Sequence, residues 1–273
     1  MQRQLKAFCV GHTQPLFAPA LPFRMLCPKS LGIAGELVFA DDRFGADVDG
    51  ASLAEYSQLF GLHDMVSSGD LVADDLYLFQ YRKFVSPNLG GAPSAAPWVR
   101  VLTTAETAAV FPDAEQLAAH ASRVAVGSLF DFGESISANY ARVHVIEDLV
   151  MFVAACAASG ALSQADIKSF ATLRGIIPSP AVCYMHADLF VRVMDVLQRV
   201  WRHFCPHYHV ARTGYQRRVA GYLLERLHSF LLCKWLMEGS EPDIRTWSRY
   251  VVAAASPSNP PQAARSSQFA ESA

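Results

Sequence analysis

Apolar positions in the first half of the chain fall mostly in short runs, and those in the second half in stripes with helical spacing. Ala7-Phe8-Cys9-Val10 is a continuous apolar run closed by the polar turn Gly11-His12-Thr13-Gln14-Pro15, the pattern of a short buried strand. Asp75-Leu76-Tyr77-Leu78-Phe79 has the same character and leads straight into Gln80-Tyr81-Arg82-Lys83-Phe84. Val99 to Leu102 and Arg123 to Phe130 predict further strands. The stretch up to residue 50 carries prolines at 15, 19, 22 and 28 and predicts loop. Ser52 to Leu62 predicts a helix, with Ser52 as N-cap and Leu53, Tyr56, Leu59 and Phe60 on one face. Ser86 to Pro97 is a Gly/Pro/Ser/Ala loop of the kind that flanks a site, and Glu115 to Ala121 predicts a short helix.

Three longer stripes follow. Ser137 to Ala158 predicts a strong helix. Asp188 to Phe204 predicts another, with Leu189, Val193, Val196, Leu197 and Val200 turned inward. Tyr215 to Met237 predicts the longest. From Ala255 the chain is rich in Ser, Pro, Ala and Gln and has no apolar pattern, which predicts a disordered tail. The layout predicts an α/β fold with a mainly parallel sheet and a helical C-terminal part. It forms a single domain over residues 1–250, with the tail at 251–273.

Composition narrows the function classes. The chain has 273 residues, 52% of them hydrophobic, enough for a sizeable core. Charged residues make up only 18% and the net charge is -2, so no basic surplus exists to neutralise many phosphates. That argues against a nucleic-acid partner but leaves room for one local diphosphate site. The six cysteines are widely spaced with no C-x-x-C pair, which reads as buried, reduced thiols. No run reaches the roughly eighteen apolar residues of a membrane span, and no secretory signal pattern is seen. The expectation is a cytoplasmic protein with at most peripheral contact with the inner membrane.

Four blocks carry candidate chemistry. The first is Gly11-His12-Thr13-Gln14-Pro15 after the first strand, where open α/β sheets bind ligands; read alone it is an ordinary strand-end turn. The second brings Gln80, Tyr81, Arg82 and Lys83 to a strand end. Arg offers a planar fork and Lys a point charge, which suits a diphosphate; read alone it is a solvated basic turn. The third is Tyr140-x-x-x-His144-x-x-Glu147-Asp148-Leu149. On one helix Tyr140, His144 and Glu147 share a face and Asp148 stacks over His144, the composition of a general base and its partner. An amphipathic helix with acids in water is the plainer reading. The fourth runs from Gly214 to Leu227 and holds Tyr215, Tyr222, Glu225 and Arg226; a core-packing helix with structural ion pairs accounts for it equally.

Together these blocks, with Ala54-Glu55-Tyr56 and Tyr184-Met185-His186, resemble a family of bacterial domains of formally unknown function found with capsular-polysaccharide and lipopolysaccharide synthesis genes. Its members look like glycosyltransferases of the GT-A type, a Rossmann-related fold. The resemblance covers nearly the whole chain except the tail. Three positions depart from the family pattern: Gln80 stands for a His, His12-Thr13-Gln14-Pro15 for a His-Lys-Pro turn, and Tyr184 for an Asn. Altered substrate and lost activity both stay open for a member that diverges in this way.

The resemblance implies a nucleotide-sugar donor, uridine-linked, and a glycan or lipid-linked glycan acceptor. It implies donor contacts from Gly11, His12, Thr13, Tyr56, Gln80, Tyr81, Arg82 and Lys83. Asp148 or Glu147 would be the base, beside His144, and Tyr140, His186, Tyr215, Glu225 and Arg226 would serve the acceptor or the structure. No Asp-x-Asp motif stands after the Asp75 strand, and Asp47-Val48-Asp49 lies in a Gly-flanked loop. A metal-independent diphosphate site on Arg82 and Lys83 is therefore expected, with a Mg or Mn ion left open. A non-catalytic sugar-nucleotide-binding or assembly protein of a polysaccharide synthase complex is the competing expectation. A helical scaffold would leave the Arg82-Lys83 and Glu147-Asp148 pairs unrelated in space.

Overall fold

The structure is a computed structural model that describes residues 3–39, 50–119, 122–238 and 244–253. Its first strands are β1 (Leu5–Val10), β2 (Phe23–Cys27) and β3 (Leu37–Val38), followed by helices α1 (Gly50–Leu53) and α2 (Tyr56–Ser68). Then come β4 (Asp75–Phe79), β5 (Lys83–Ser86), β6 (Ala92–Pro93), β7 (Arg100–Leu102), α3 (Thr107–Val110), α4 (Ala114–Ala119), β8 (Val124–Gly127) and β9 (Phe130–Asp131). Next are α5 (Ile136–Val143), α6 (Ile146–Ala158), α7 (Gln164–Thr172), β10 (Gly175–Ile176), β11 (Cys183–His186) and α8 (Ala187–Tyr208). A 3-10 turn at Gly214–Arg218 leads into α9 (Val219–Glu238), and β12 (Ile244–Val252) follows.

A ten-stranded sheet organises the molecule in the order β3-β2-β1-β4-β11-β8-β12-β7-β6, with β5 joining β12 from the side. β1, β2, β3 and β4 run parallel, as do β8, β12 and β7; β11 is antiparallel to both β4 and β8. Both faces are covered, which is why the strands read as unbroken apolar runs. Phe8, Val10, Leu76, Leu78, Val124 and Val126 face a large core built with α2, α6, α8 and α9. Ala7, Cys9, Tyr77, Phe79 and Ala125 face a second core with Phe84, Phe111, Leu117 and Tyr250.

Several elements differ from the sequence expectation. β2 and β3 lie in the stretch expected to be loop, because flanking prolines and the exposed Arg24 hide a run whose last residues are buried. The helix expected from Ser52 breaks at Ala54, whose φ is +50°, so Ser52 sits inside α1 and caps nothing. Its apolar face is as expected: Leu53, Tyr56, Leu59 and Phe60 are all fully buried. The single helix expected over Ser137 to Ala158 is two helices, because His144 leaves the helical region at φ -137° and ψ 173°. Among the described residues the longest helix is α8, at 22 residues, since the Tyr215 stretch begins as the 3-10 turn. β12 is a strand that the sequence reading lacked, and it runs past residue 250, where the domain was expected to end. The tail from residue 254 and Asp47-Val48-Asp49 lie outside the described residues.

Candidate functional site

Parallel strands deliver their carboxyl ends to one edge of the sheet, and the first two blocks meet there. Gly11 donates its N–H to the Leu26 carbonyl, holding the turn after β1 against β2. The His12 ring lies 5.9 Å from the Tyr81 ring, and Leu16 N–H bonds the Tyr81 carbonyl at 2.8 Å. Gln80 and Lys83 exchange backbone hydrogen bonds, so Tyr81 and Arg82 form the tip of a tight turn. Arg82 is exposed and its guanidinium lies 5.4 Å from the Tyr81 ring centre. Thr13 is half-buried in the same turn as His12.

Lys83 points inward from this turn. Its Nζ donates to Ser179 Oγ at 3.3 Å, and Ser179 N–H donates to Glu225 Oε1 at 2.9 Å. Ser179 has φ +49°, a strained conformation for a residue with a side chain, and it aims both groups at once. Glu55, at the α1–α2 junction, lies 3.7 Å from Arg218. Burial, and then the nearby Glu225 carboxylate, raise the Glu55 pKa. Gly221 is what lets these helices meet: a Cβ there would come 2.9 Å from Ala54 Cβ. Burial pulls the Lys83 pKa down while Glu225 and Glu55 pull it back up. Two carboxylates and a lysine thus share a desolvated corner.

An aromatic wall stands beside this corner. His144 stacks parallel on Tyr215 at 5.7 Å, with Tyr140 at 4.6 Å and Tyr222 at 4.4 Å. Its Nδ1 bonds Gln216 Oε1 at 3.0 Å. Burial among these rings pulls its pKa down to about 4, so the imidazole is neutral near pH 7. Arg226 lies 4.8 Å from the Tyr140 ring centre, donates to the Tyr222 carbonyl and reaches Asn139.

The acid pair of the third block is placed differently from the sequence expectation. Because the helix breaks at His144, Tyr140, His144 and Glu147 do not share one helical face, and Asp148 does not stack over His144. Asp148 is buried and held by both ends of the Arg212 guanidinium, at 2.8 and 3.2 Å. Glu147 is exposed on the first turn of α6. Tyr56 is fully buried with its hydroxyl 3.3 Å from His228 Nδ1, so it supports the site from behind rather than facing a ligand. His186 sits at the opposite edge of the sheet, 3.4 Å from Asp75 and bonded by Arg123. The reason is direction: antiparallel β11 carries its carboxyl end to the start of β4.

The comparisons with known proteins bear on this arrangement. No family model matches the chain, and neither does any curated protein. Among solved structures the chain is similar to "WbbM bifunctional glycosyltransferase apo structure", with a TM-score of 0.70 and 16% identity over 92% of this chain. The chain therefore shares the fold of the matched part of that structure. The match covers 45% of that protein, so this chain spans less than half its length. In this glycosyltransferase-like fold the corner around Lys83 and Glu225 lies where open α/β sheets bind ligands, outside the carboxyl ends of the strands.

Sequence reasoning missed Glu55, Ser179 and Arg218 as members of this corner. Glu55 stands in a block that the resemblance singled out, next to Tyr56, the expected site residue of that block. Arg218 lies in the fourth block but is not singled out within it, and Ser179 carried no signal: only the folded chain shows the strained Ser179 backbone beside Lys83. Among the described residues no helix is long and apolar enough to cross a membrane.

Proposed function

We propose that this chain transfers a glycosyl group from a nucleotide-sugar donor, uridine-linked, to a glycan acceptor of a cell-surface polysaccharide. The observation that carries the proposal is the run Lys83–Ser179–Glu225 with half-buried Glu55, standing at the strand ends of a glycosyltransferase fold. As the bond from the anomeric carbon to the diphosphate breaks, negative charge grows on the leaving oxygens. Cations fixed beforehand in a desolvated corner stabilise that charge more than mobile water does; Lys83 fills this role, with Arg82 at the rim. Uridine and ribose would lie against the Gly11-His12-Thr13 turn and the Tyr81 ring.

If configuration inverts, the acceptor hydroxyl must give up its proton as it attacks. Glu225 is our choice of base in place of Asp148. It faces Lys83 and holds the strained Ser179 N–H, whereas both Asp148 oxygens are taken by Arg212. The neutral His144 and its tyrosine neighbours present ring faces of the kind that pack on a sugar. The proposal routes no step through a metal ion, so transfer should persist in the presence of a strong chelator; its loss, restored by Mg or Mn, would contradict that part.

Glu225→Gln should lower transfer by about a hundredfold or more, the usual cost of a lost general base, with nucleotide affinity nearly unchanged. Asp148→Asn should lower stability more than turnover. The reverse pattern, measured as initial rates and melting temperatures on the same preparations, would return the base to Asp148. Binding of nucleotide sugar without hydrolysis or transfer would favour the non-catalytic binding protein.

A further inference from the structure

We propose that Arg249, whose guanidinium has no hydrogen-bond partner among the described residues, is an anion-binding residue of the same corner that takes the phosphoryl oxygens of a nucleoside diphosphate. The inference rests on the donor site described above and adds Arg249 and Gly127 to it. Arg249 is only 4% exposed, and its Nε, Nη1 and Nη2 all lack a hydrogen-bond partner among the described residues. Buried guanidinium groups are ordinarily paired, because stripping water from an unpaired cation is costly. The fold nonetheless makes room for this one: a Cβ on Gly127, at the carboxyl end of β8, would overlap the Arg249 guanidinium.

Strand register gives its direction. In the antiparallel β12–β5 pair Val251 lies opposite Lys83, and Arg249 opposite Val85. Arg249 and Lys83 are therefore diagonal neighbours on one face, roughly 7–8 Å apart. Phe84 and Tyr250, paired in the same register, stack on the other face. Glu225 is the acid that Arg249 senses, and Arg249 in turn disfavours the charge on Lys83. Lys83 and Arg249, with Arg82 and Arg218 beside them, outnumber the Glu225 and Glu55 carboxylates of this corner and leave positive charge for an incoming anion to complete. An Arg fork beside a Lys point charge matches the oxygens of a diphosphate, where the fork can take two oxygens together.

The test titrates uridine diphosphate, uridine and inorganic pyrophosphate by calorimetry into the wild-type protein, Arg249→Met, Arg249→Lys and Gly127→Ala. Arg249→Met should weaken uridine diphosphate and pyrophosphate by at least about thirtyfold, the scale of losing one partner of a buried charged contact. It should leave any uridine binding alone. Arg249→Lys should fall between, and Gly127→Ala should weaken the anions by displacing the guanidinium. Melting temperature separates a binding role from a structural one. Removing an unpaired buried charge should leave Arg249→Met as stable as wild type or more so, whereas a structural arginine would make it less stable. If uridine diphosphate binds wild type and Arg249→Met equally, this inference fails and the proposed function stands. If only pyrophosphate binds, and needs Arg249, the anion site stands and the nucleotide-sugar reading fails. If neither anion binds wild type, both are overturned.

Discussion

His228 and His144 are uncharged in the folded protein because burial withholds the water that a charged ring needs. Burial pulls His228 down to about 3 and His144 to about 4, from 6.5 for a free ring. The folded value is the lower one, so between the two the unfolded chain binds protons that the native state refuses. Stability is then complete above about pH 6.5 and falls as pH drops towards 4. His228, buried with no hydrogen-bond partner for Nε2 among the described residues, should carry much of that slope. His228→Asn should flatten the dependence of melting temperature on pH across this window; an unchanged slope would move the cause to other groups. Tyr140 offers a second residue-scale test. Its buried hydroxyl has no hydrogen-bond partner among the described residues, so Tyr140→Phe should be neutral or stabilise by up to about 1 kcal/mol, and a clear loss of stability would mean the hydroxyl has a partner in solution. At this scale the sequence named Lys83, His144 and Glu225, because polar residues inside apolar runs draw notice. It could not tell that Asp148 is tied to Arg212, since a partner 64 positions away leaves no local trace.

Element by element, legibility followed periodicity. β1, β4, α8 and most of α9 were readable because apolar runs and stripes are long there. The break between α5 and α6 was not, because Val143-His144-Val145 keeps the apolar rhythm of a helix while the His144 backbone extends. β12 was missed for a related reason: Arg245 and Arg249 interrupt its apolar pattern, and its place between β8 and β7 is visible only in the folded sheet. Because β12 joins two halves of the sheet, a chain ending before Ile244 should fail to fold, as judged by loss of a cooperative melt; a native-like melt would show that β12 is dispensable. α2 and α8 are fastened by a polar clasp in which His63 bonds Asp195 at 2.9 Å and Gln198 at 3.0 Å. Gln198 is buried and also donates to the Phe60 carbonyl. Gln198→Ala should therefore cost about 1–3 kcal/mol in chemical denaturation with nucleotide affinity unchanged; a cost near zero would make the clasp incidental.

For the whole molecule, the α/β class, the mainly parallel sheet and the glycosyltransferase likeness were within reach of the sequence, because several weak blocks in fixed order add up. The antiparallel course of β11 was not, and it is what carries His186 away from the site. The strand order gathers Gly11, Tyr81, Lys83 and Arg249 from β1, the β4–β5 turn and β12 onto one edge, where α9 supplies Glu225 and the α1–α2 junction Glu55. The central claim is that this edge binds a nucleotide sugar. Titration of uridine diphosphate into the wild-type protein by calorimetry tests it most directly. The expected result is one saturable site per chain with a dissociation constant well below millimolar, weakened by Lys83→Ala. Absence of binding by uridine diphosphate and by other nucleoside diphosphates up to millimolar concentration would contradict it.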